Sequence, residues 1–247
     1  MASIRGFSGA WLAGLALAVS VQAHAQAAGE AAHFYYYRLG AGAQAKFEDG
    51  YRQHLAWHRA HHDRLVWYGW MIDNGARAGQ FVDANVGEPF AAFDHRVDVA
   101  DDGEDFQQNA APYATPAAQE TYLLLRDVSF HTPLESRQPS ASMQVLTYRV
   151  RPGSEARFES ALRAARGALE NTPGAPAHTW YRLVVGGTQS TYVLQIARTD
   201  WASYDHFHRS IADLLAAQPD ALANYAAAVS EVQSETWTYR AELSNLP

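Results

Sequence analysis

The segment YRLGAGAQAKFE at residues 37–48 recurs as YRVRPGSEARFE at residues 148–159, with six of the twelve positions identical. The two copies lie 111 residues apart, and the same offset pairs FAAFDH at 90–95 with WASYDH at 201–206. Matches that keep one offset and one order along a chain indicate an internal duplication. The 247-residue sequence therefore predicts two copies of one unit of ~110 residues, an ordinary domain size.

Each copy shows the same succession of strand and helix patterns. In the second copy, alternating β-prone residues predict a strand at Met143–Val150, and apolar residues at helical spacing predict a helix capped by Ser154. The Gly186-Gly187 turn predicts a hairpin, and a last strand is predicted at Thr236–Leu243. In the first copy, strands are predicted at 34–39, 65–72, 80–86 and 122–130, with a helix at 46–62. Each unit thus reads β-α-β-β-α-β.

The second helix of the first copy is the least regular element, because Pro112 and Pro116 interrupt its pattern. The residues before it form an acidic run, which consists of Asp98, Asp101, Asp102, Glu104 and Asp105. This spacing is not that of a calcium-binding loop, so we expect a solvated loop. The repeated Asp-His pairs, Asp94-His95 and Asp205-His206, are expected to cap the second helix of each unit.

Two β-α-β-β-α-β units in tandem resemble the ferredoxin-like dimeric α/β barrel superfamily over about residues 34–243. The resemblance implies an α+β fold in which two antiparallel sheets pack face to face, here as an intramolecular version of a dimer. This superfamily includes cofactor-free monooxygenases, haem-degrading oxygenases and chlorite-dismutase-like haem proteins. The resemblance also implies a ligand pocket between the sheet and the helices of one unit, with haem as a candidate cofactor.

Residues 1–25 have the layout of a secretory signal peptide: a positive Arg5, a short apolar run and an Ala-His-Ala cleavage signal. The apolar run is shorter than the ~20 residues that span a bilayer, so no membrane anchor is expected. The predicted divisions are a signal peptide at 1–25, a first unit at 26–130, a linker at 131–142 and a second unit at 143–247. We expect export to the periplasm or the extracellular space.

The composition narrows the classes of partner. The chain contains no cysteine, which excludes disulfides, thiolate metal sites and cysteine nucleophiles. Its formal net charge of −7 argues against nucleic acid, which needs a basic surface. A small molecule is the partner that remains. Because each unit can complete the other's sheet contact, the chain is expected to be monomeric.

The run HLAWHRAHH at residues 54–62 is the sharpest candidate for chemistry. His54 and His58 fall on the apolar stripe of the first predicted helix, whereas the offset of 111 aligns them with Ala165 and Leu169. A pair of histidines four residues apart can act as general base, line a pocket, ligate a haem or reach one metal ion. No third ligand stands at a recognisable spacing, so no metal site is predicted. Burial as hydrogen-bonded core histidines remains the alternative.

Aromatic residues on the first unit's strands and helix are predicted to complete a cavity beside these histidines. Strand alternation places Tyr68 and Trp70 on one face, and Tyr37 and Tyr51 are expected to meet them there. The sequence thus predicts a secreted small-molecule-binding protein with a His-lined aromatic pocket in its N-terminal unit. An oxygenase of the dimeric α/β barrel type is one interpretation of that pocket. The alternative is a non-catalytic structural or interaction module.

Overall fold

The computed structural model describes residues 30–132, 134 and 137–246, so the proposed signal peptide lies outside the described residues. The first unit contains β1 (Ala31–Leu39), α1 (Gln44–Ala60), β2 (Tyr68–Asn74), β3 (Gln80–Glu88), α2 (Val99–Asn109) and β4 (Ala114–Leu124). The second contains β5 (Ser142–Val150), α3 (Glu155–Glu170), β6 (His178–Val185), β7 (Thr191–Arg198), α4 (Ser203–His206), α5 (Ile211–Leu214), α6 (Pro219–Ala228) and β8 (Val229–Tyr239).

The offset seen in the sequence reappears in the positions of the elements. Strands β1 and β5, helices α1 and α3, and strands β3 and β7 each begin 111 residues apart. Strands β4 and β8 begin 115 residues apart, since the second unit has a longer connection before its last strand.

The eight strands pair in a closed ring in the order β1-β3-β2-β8-β5-β7-β6-β4. Every neighbouring pair is antiparallel, and two junctions, β2 with β8 and β4 with β6, join the units. The expected α+β fold with two facing antiparallel sheets is confirmed. Each unit supplies half of one barrel.

Alternate strand residues point into the barrel, where side chains from both units pack together. The large ones include Phe34, Tyr68, Trp70, Tyr181 and Trp237, all nearly or fully buried. The rings of Trp70 and Trp237 lie 6.0 Å apart between centroids. The interior is therefore a packed core rather than a channel.

The helices cover the outside of the barrel. Helix α1 buries Phe47, Tyr51 and Leu55 against the outer face of the first unit's strands, and α3 buries Phe158 and Leu162 in the second. Each unit thus has a second apolar layer between helix and sheet, separate from the barrel interior. No helix in the described chain is long and apolar enough to cross a membrane.

The acidic run of the first unit is a helix, so the expectation of a solvated loop is wrong. Helix α2 begins after Asp98, whose backbone is left-handed with φ of 34°, and ends before Pro112. The proline therefore follows the helix instead of interrupting it. Asp102 lies on the inner face of α2 and is only 7% exposed. This face contacts α1.

Other local expectations also need correction. The Asp-His pairs do not cap a helix: neither α2 nor α4 has a side-chain hydrogen bond at its N-cap. Ser154 likewise makes no capping bond to α3. The second helix of the second unit is divided into three short helices, of which α5 is capped by Ser210 in a reciprocal bond with Asp213. The last strand of each unit begins earlier than expected.

Candidate functional site

Helices α1 and α2 lie against each other because a glycine occupies their closest contact. A Cβ atom at Gly50 would lie 1.8 Å from the carbonyl oxygen of Asn109, so a larger residue would push the helices apart. From this contact α1 runs forward to His54 and His58, one turn apart, whereas α2 runs back through Asp105. The antiparallel arrangement places the histidines opposite the acidic face of α2.

Three side-chain atoms converge between the helices, and we call their residues, His54, His58 and Asp102, the donor cluster. The Nε2 atoms of the two histidines lie 3.2 Å apart. The Oδ1 atom of Asp102 lies 3.4 Å from each of them. All three residues are buried, and they form a group that can hold a metal ion. Helix α2 supplies the third ligand that the sequence did not reveal.

The other ring nitrogen of each histidine faces a further carboxylate. Nδ1 of His54 lies 2.8 Å from Oδ1 of Asp105, and Nδ1 of His58 lies 2.9 Å from Oδ2 of Asp63, a close ion-pair distance with poor hydrogen-bond geometry. Burial lowers the pKa of His54, although Asp105 acts in the opposite direction. Burial alone would raise the pKa of Asp63, but His58, Trp67 and the Leu65 N–H outweigh it and hold that pKa below its usual value.

Arg96 fixes the carboxylate of Asp102 from its second oxygen. The guanidinium donates to Oδ2 of Asp102, which leaves Oδ1 turned toward the histidines. Its charged end also lies 5.8 Å from the ring centre of Trp67, within cation–π range. Arg96 thus offsets one of the negative charges that surround the donor cluster.

A cavity of about 150 Å³ lies beside the donor cluster, between α2 and the outer face of β1 and β3. His54 and Asp102 form part of its wall. Aromatic rings of Tyr35, Tyr37 and Phe106 contribute to the lining, with Tyr37 and Phe106 5.3 Å apart between centroids. We call this space the helix-side cavity.

Asp83 on β3 is the polar group at the base of the helix-side cavity. Its side chain is 2% exposed; Oδ2 accepts a 2.6 Å hydrogen bond from the Tyr51 hydroxyl, and Oδ1 has no partner within the described chain. Burial raises the pKa of Asp83 to about 7, opposed by the Tyr51 hydrogen bond and the charge of Arg96. This free oxygen can accept a hydrogen bond from a ligand.

The structure brings together four of the six residues selected from the sequence. His54, His58, Tyr37 and Tyr51 all lie between α1 and the outer face of the sheet. Tyr68 and Trp70 do share a face, as the alternation predicted, but that face points into the barrel. Their predicted place beside the histidines is therefore wrong.

The sequence analysis did not select five side chains that lie at this site: Asp63, Asp83, Arg96, Asp102 and Asp105. The spacing of Asp102, Asp105 and Phe106 fits one face of a helix and was the signal that could have revealed α2. Asp83 carries a weaker signal, as one acidic residue within the apolar strand pattern of β3. Asp63 and Arg96 lie outside regular helices and strands, where spacing offers no guide.

No sequence-family model and no curated protein matches this chain. Solved structures do. A proposed monooxygenase from Lactobacillus acidophilus is 12% identical with a TM-score of 0.56, covering 85% of this chain and 94% of that one. A proposed monooxygenase from Fusobacterium nucleatum is 11% identical with a TM-score of 0.57, covering 86% and 93%. A chlorite dismutase variant from Candidatus Nitrospira defluvii is 8% identical with a TM-score of 0.52, covering 88% and 93%.

The solved structures that this chain resembles are dimeric α/β barrel proteins. The chain has the dimeric α/β barrel fold. At such low identity the likeness establishes the architecture of a dimeric α/β barrel and no particular activity.

Haem is a cofactor that the dimeric α/β barrel resemblance implies, and the residues around His54 and His58 do not fit it. The cavity beside them, about 150 Å³, is smaller than the ~300–1,000 Å³ of pockets for drug-sized ligands. The Nε2 atoms of both histidines also point at each other and at Asp102, instead of into open space. Axial ligation of a haem by either histidine would require the helices to separate.

Proposed function

We propose that this protein is an exported small-molecule-binding protein of oxygenase type whose ligand occupies the helix-side cavity. The observation that carries the proposal is the unpartnered Oδ1 of Asp83. A buried polar atom without a partner costs about 1–3 kcal/mol, so a ligand that donates to it gains a bond the folded chain leaves open. The carboxylate selects for a hydroxyl or amino group.

The dimensions and lining of the cavity favour a ligand with one aromatic ring. A volume of about 150 Å³ matches the size of an apolar cavity that holds benzene. The rings of Tyr37 and Phe106 offer surfaces for offset or tilted contacts with such a ring. A single-ring phenol combines both features, since its ring fits the walls and its hydroxyl can donate to Asp83.

The hypothesis of an oxygenase activity is supported by the proteins of similar structure. Two of them are described as proposed monooxygenases, and the cavity here lies on the helix-covered side of the sheet, where the resemblance implied a ligand pocket. Oxidation of a phenol would use dioxygen as the oxidant: phenol and O₂ would give benzoquinone and water, with one oxygen atom entering the ring, the other leaving as water, and the phenol supplying all four electrons. Phenol-dependent consumption of dissolved oxygen by the purified protein is the activity we expect.

Calorimetric titration with phenol and with toluene at pH 8, above the raised pKa of Asp83 of about 7, tests the binding proposal. Phenol should bind about 10-fold more weakly to Asp83→Asn than to the wild type, because the neutral amide presents a weaker acceptor to the hydroxyl. Toluene should bind both proteins equally. The exposed Asp101→Asn variant is the matched control. Equal phenol affinity in all three proteins, or no binding at all, would favour a non-catalytic module with core histidines.

Export has a separate test. The chain should be recovered from the periplasm or medium of a bacterial host, and N-terminal sequencing should begin at Gln26. Retention of Met1 and the apolar run in the mature protein would contradict export by this route.

A further inference from the structure

We propose that His54, His58 and Asp102 bind a single divalent transition-metal ion through Nε2, Nε2 and Oδ1. This inference stands apart from the identity of the ligand in the helix-side cavity. It rests on three features of the donor cluster: the direction of its lone pairs, its spacing, and the groups behind it.

The hydrogen-bond pattern leaves lone pairs facing one another. An ionised carboxylate only accepts hydrogen bonds, so the proton on His54 resides on Nδ1, next to Asp105. The Asp63 carboxylate lies 2.9 Å from Nδ1 of His58 and favours a proton on that nitrogen through its charge, although the hydrogen-bond geometry is poor. Both Nε2 atoms then present lone pairs to each other across 3.2 Å and to the Asp102 oxygen across 3.4 Å. A cation at the centre turns this repulsion into attraction.

The spacing of the donors matches a metal's coordination sphere. Ligand atoms about 2.0–2.1 Å from a tetrahedral ion lie about 3.3–3.4 Å from one another. The observed separations are 3.2, 3.4 and 3.4 Å. The three atoms thus form one face of a coordination polyhedron before any ion enters.

The residues behind the donors complete the arrangement. Histidines that bind metals commonly pass their other N–H to a carboxylate, which orients the ring and increases its basicity. Asp105 and Asp63 occupy these positions for His54 and His58, and Arg96 holds the second oxygen of Asp102. Three independent partners thus fix three ligands.

The donor types indicate which ions fit. Two imidazoles and one carboxylate suit Zn²⁺, Fe²⁺ or Co²⁺, whereas Ca²⁺ and Mg²⁺ prefer sets of oxygen ligands. The same three-residue set, with positions left open, holds Fe²⁺ in non-haem oxygenases, and a similar set holds catalytic Zn²⁺. Because His54 and Asp102 line the helix-side cavity, an open position would face it.

The test is a metal titration of the chelator-treated full chain. Co²⁺ should bind with a stoichiometry of one and give the visible absorption of a low-coordinate site, and Zn²⁺ should displace it. The variant with His54→Ala and His58→Leu gives the first unit the residues that the second unit carries at 165 and 169. It should lose the absorption band. The control is His61→Ala, which replaces an exposed histidine just after the end of α1. This variant should keep the absorption band.

Two single substitutions test the proposal even if the double variant does not fold. Asp102→Asn preserves the shape of the ligand, and its metal affinity should fall further than that of Asp105→Asn, for which about a 10- to 100-fold loss is expected. Far-UV circular dichroism and the thermal midpoint of the metal-free variants report folding. Wild-type protein that binds no Co²⁺ or Zn²⁺, or variants with unchanged affinity, would overturn the proposal. Metal binding without phenol binding would contradict only the proposed function.

Discussion

At the scale of single residues, the informative contrast is between two helices that occupy equivalent places. The second unit fills the positions with Ala165 and Leu169, which are almost completely buried in an apolar layer. The first unit buries His54 and His58 there instead. Buried imidazoles cost free energy unless their nitrogens are satisfied. Here carboxylates lie 2.8 and 2.9 Å from the two Nδ1 atoms, whereas the Nε2 atoms face each other and Asp102.

Asp83 should make the metal-free protein less stable as the pH rises. Its folded pKa of about 7 lies above its ordinary value of 3.8, so the folded state holds a proton that the unfolded state has released. Stability is therefore lost between about pH 4 and pH 7, by up to about 4 kcal/mol. Urea unfolding in the presence of a chelator measures this effect. Between pH 4 and pH 8, the free energy of unfolding of Asp83→Asn should rise relative to that of the wild type by up to about 4 kcal/mol. A constant difference between the two proteins would refute this.

His178, in the second unit, should produce the opposite dependence. Burial lowers its pKa to about 4, although the bond between Nδ1 and the Pro176 carbonyl opposes the shift. Below pH 6.5 the unfolded state binds a proton at His178 that the folded state does not bind. The free energy of unfolding therefore falls, by roughly 3 kcal/mol at pH 4. Unfolding of His178→Asn should lack this loss. The exposed His208→Asn should behave as the wild type does.

At the scale of elements, the contact between α1 and α2 decides whether the site exists. Neither helix alone carries a complete ligand set: α1 supplies two histidines and α2 supplies Asp102 and Asp105. Their approach depends on the missing side chain at Gly50. The equivalent position in the second unit is Ala161, a buried residue of α3.

Gly50→Ala should weaken metal binding without touching a ligand. The added Cβ would overlap the Asn109 carbonyl and force α2 away, at a cost of about 1–3 kcal/mol in unfolding free energy. Gly167→Ala, on α3 with open space around it, should instead stabilise by up to about 1 kcal/mol, since alanine favours helix. Calorimetry and Co²⁺ titration measure both effects. Unaltered Co²⁺ affinity in Gly50→Ala would show that the helix contact does not set the site.

At the scale of the whole molecule, the two units are inseparable parts of one barrel. The junctions of β2 with β8 and β4 with β6 close the ring. Across the first junction, Arg77 forms a two-bond ion pair with the largely buried Glu235 and stacks over Tyr36 at 4.4 Å. The barrel interior draws on both halves, so each half completes the core of the other.

This closure predicts a monomer. In the described residues each of the eight strands pairs on both sides, so none of them offers a free edge to a second chain. Size-exclusion chromatography with light scattering should give the mass of one chain across a range of concentrations. A stable dimer at micromolar concentration would contradict the prediction and would indicate an interface on the helical surface.

The repeat at an offset of 111 was enough to predict the element order and the facing sheets, because hydrophobic periodicity and turn residues are local properties. The histidines on α1 were visible for the same reason. Helix α2 was misjudged because its acidic residues resemble a solvated loop unless the neighbouring helix is known. Tyr68 and Trp70 were assigned the correct common face but the wrong side of the sheet.

The sequence by itself determined the two units, their strands and first helices, and the unusual placement of His54 and His58. Only the tertiary structure decided that Asp102, Asp105 and Asp63 meet these histidines and that Asp83 lies beside them. The reason is physical: periodicity encodes which face of an element is apolar, whereas the meeting of the α1 histidines with α2 residues 44 to 51 positions further along the chain depends on how closely two backbones approach. In this protein that approach is set by the space left free at Gly50.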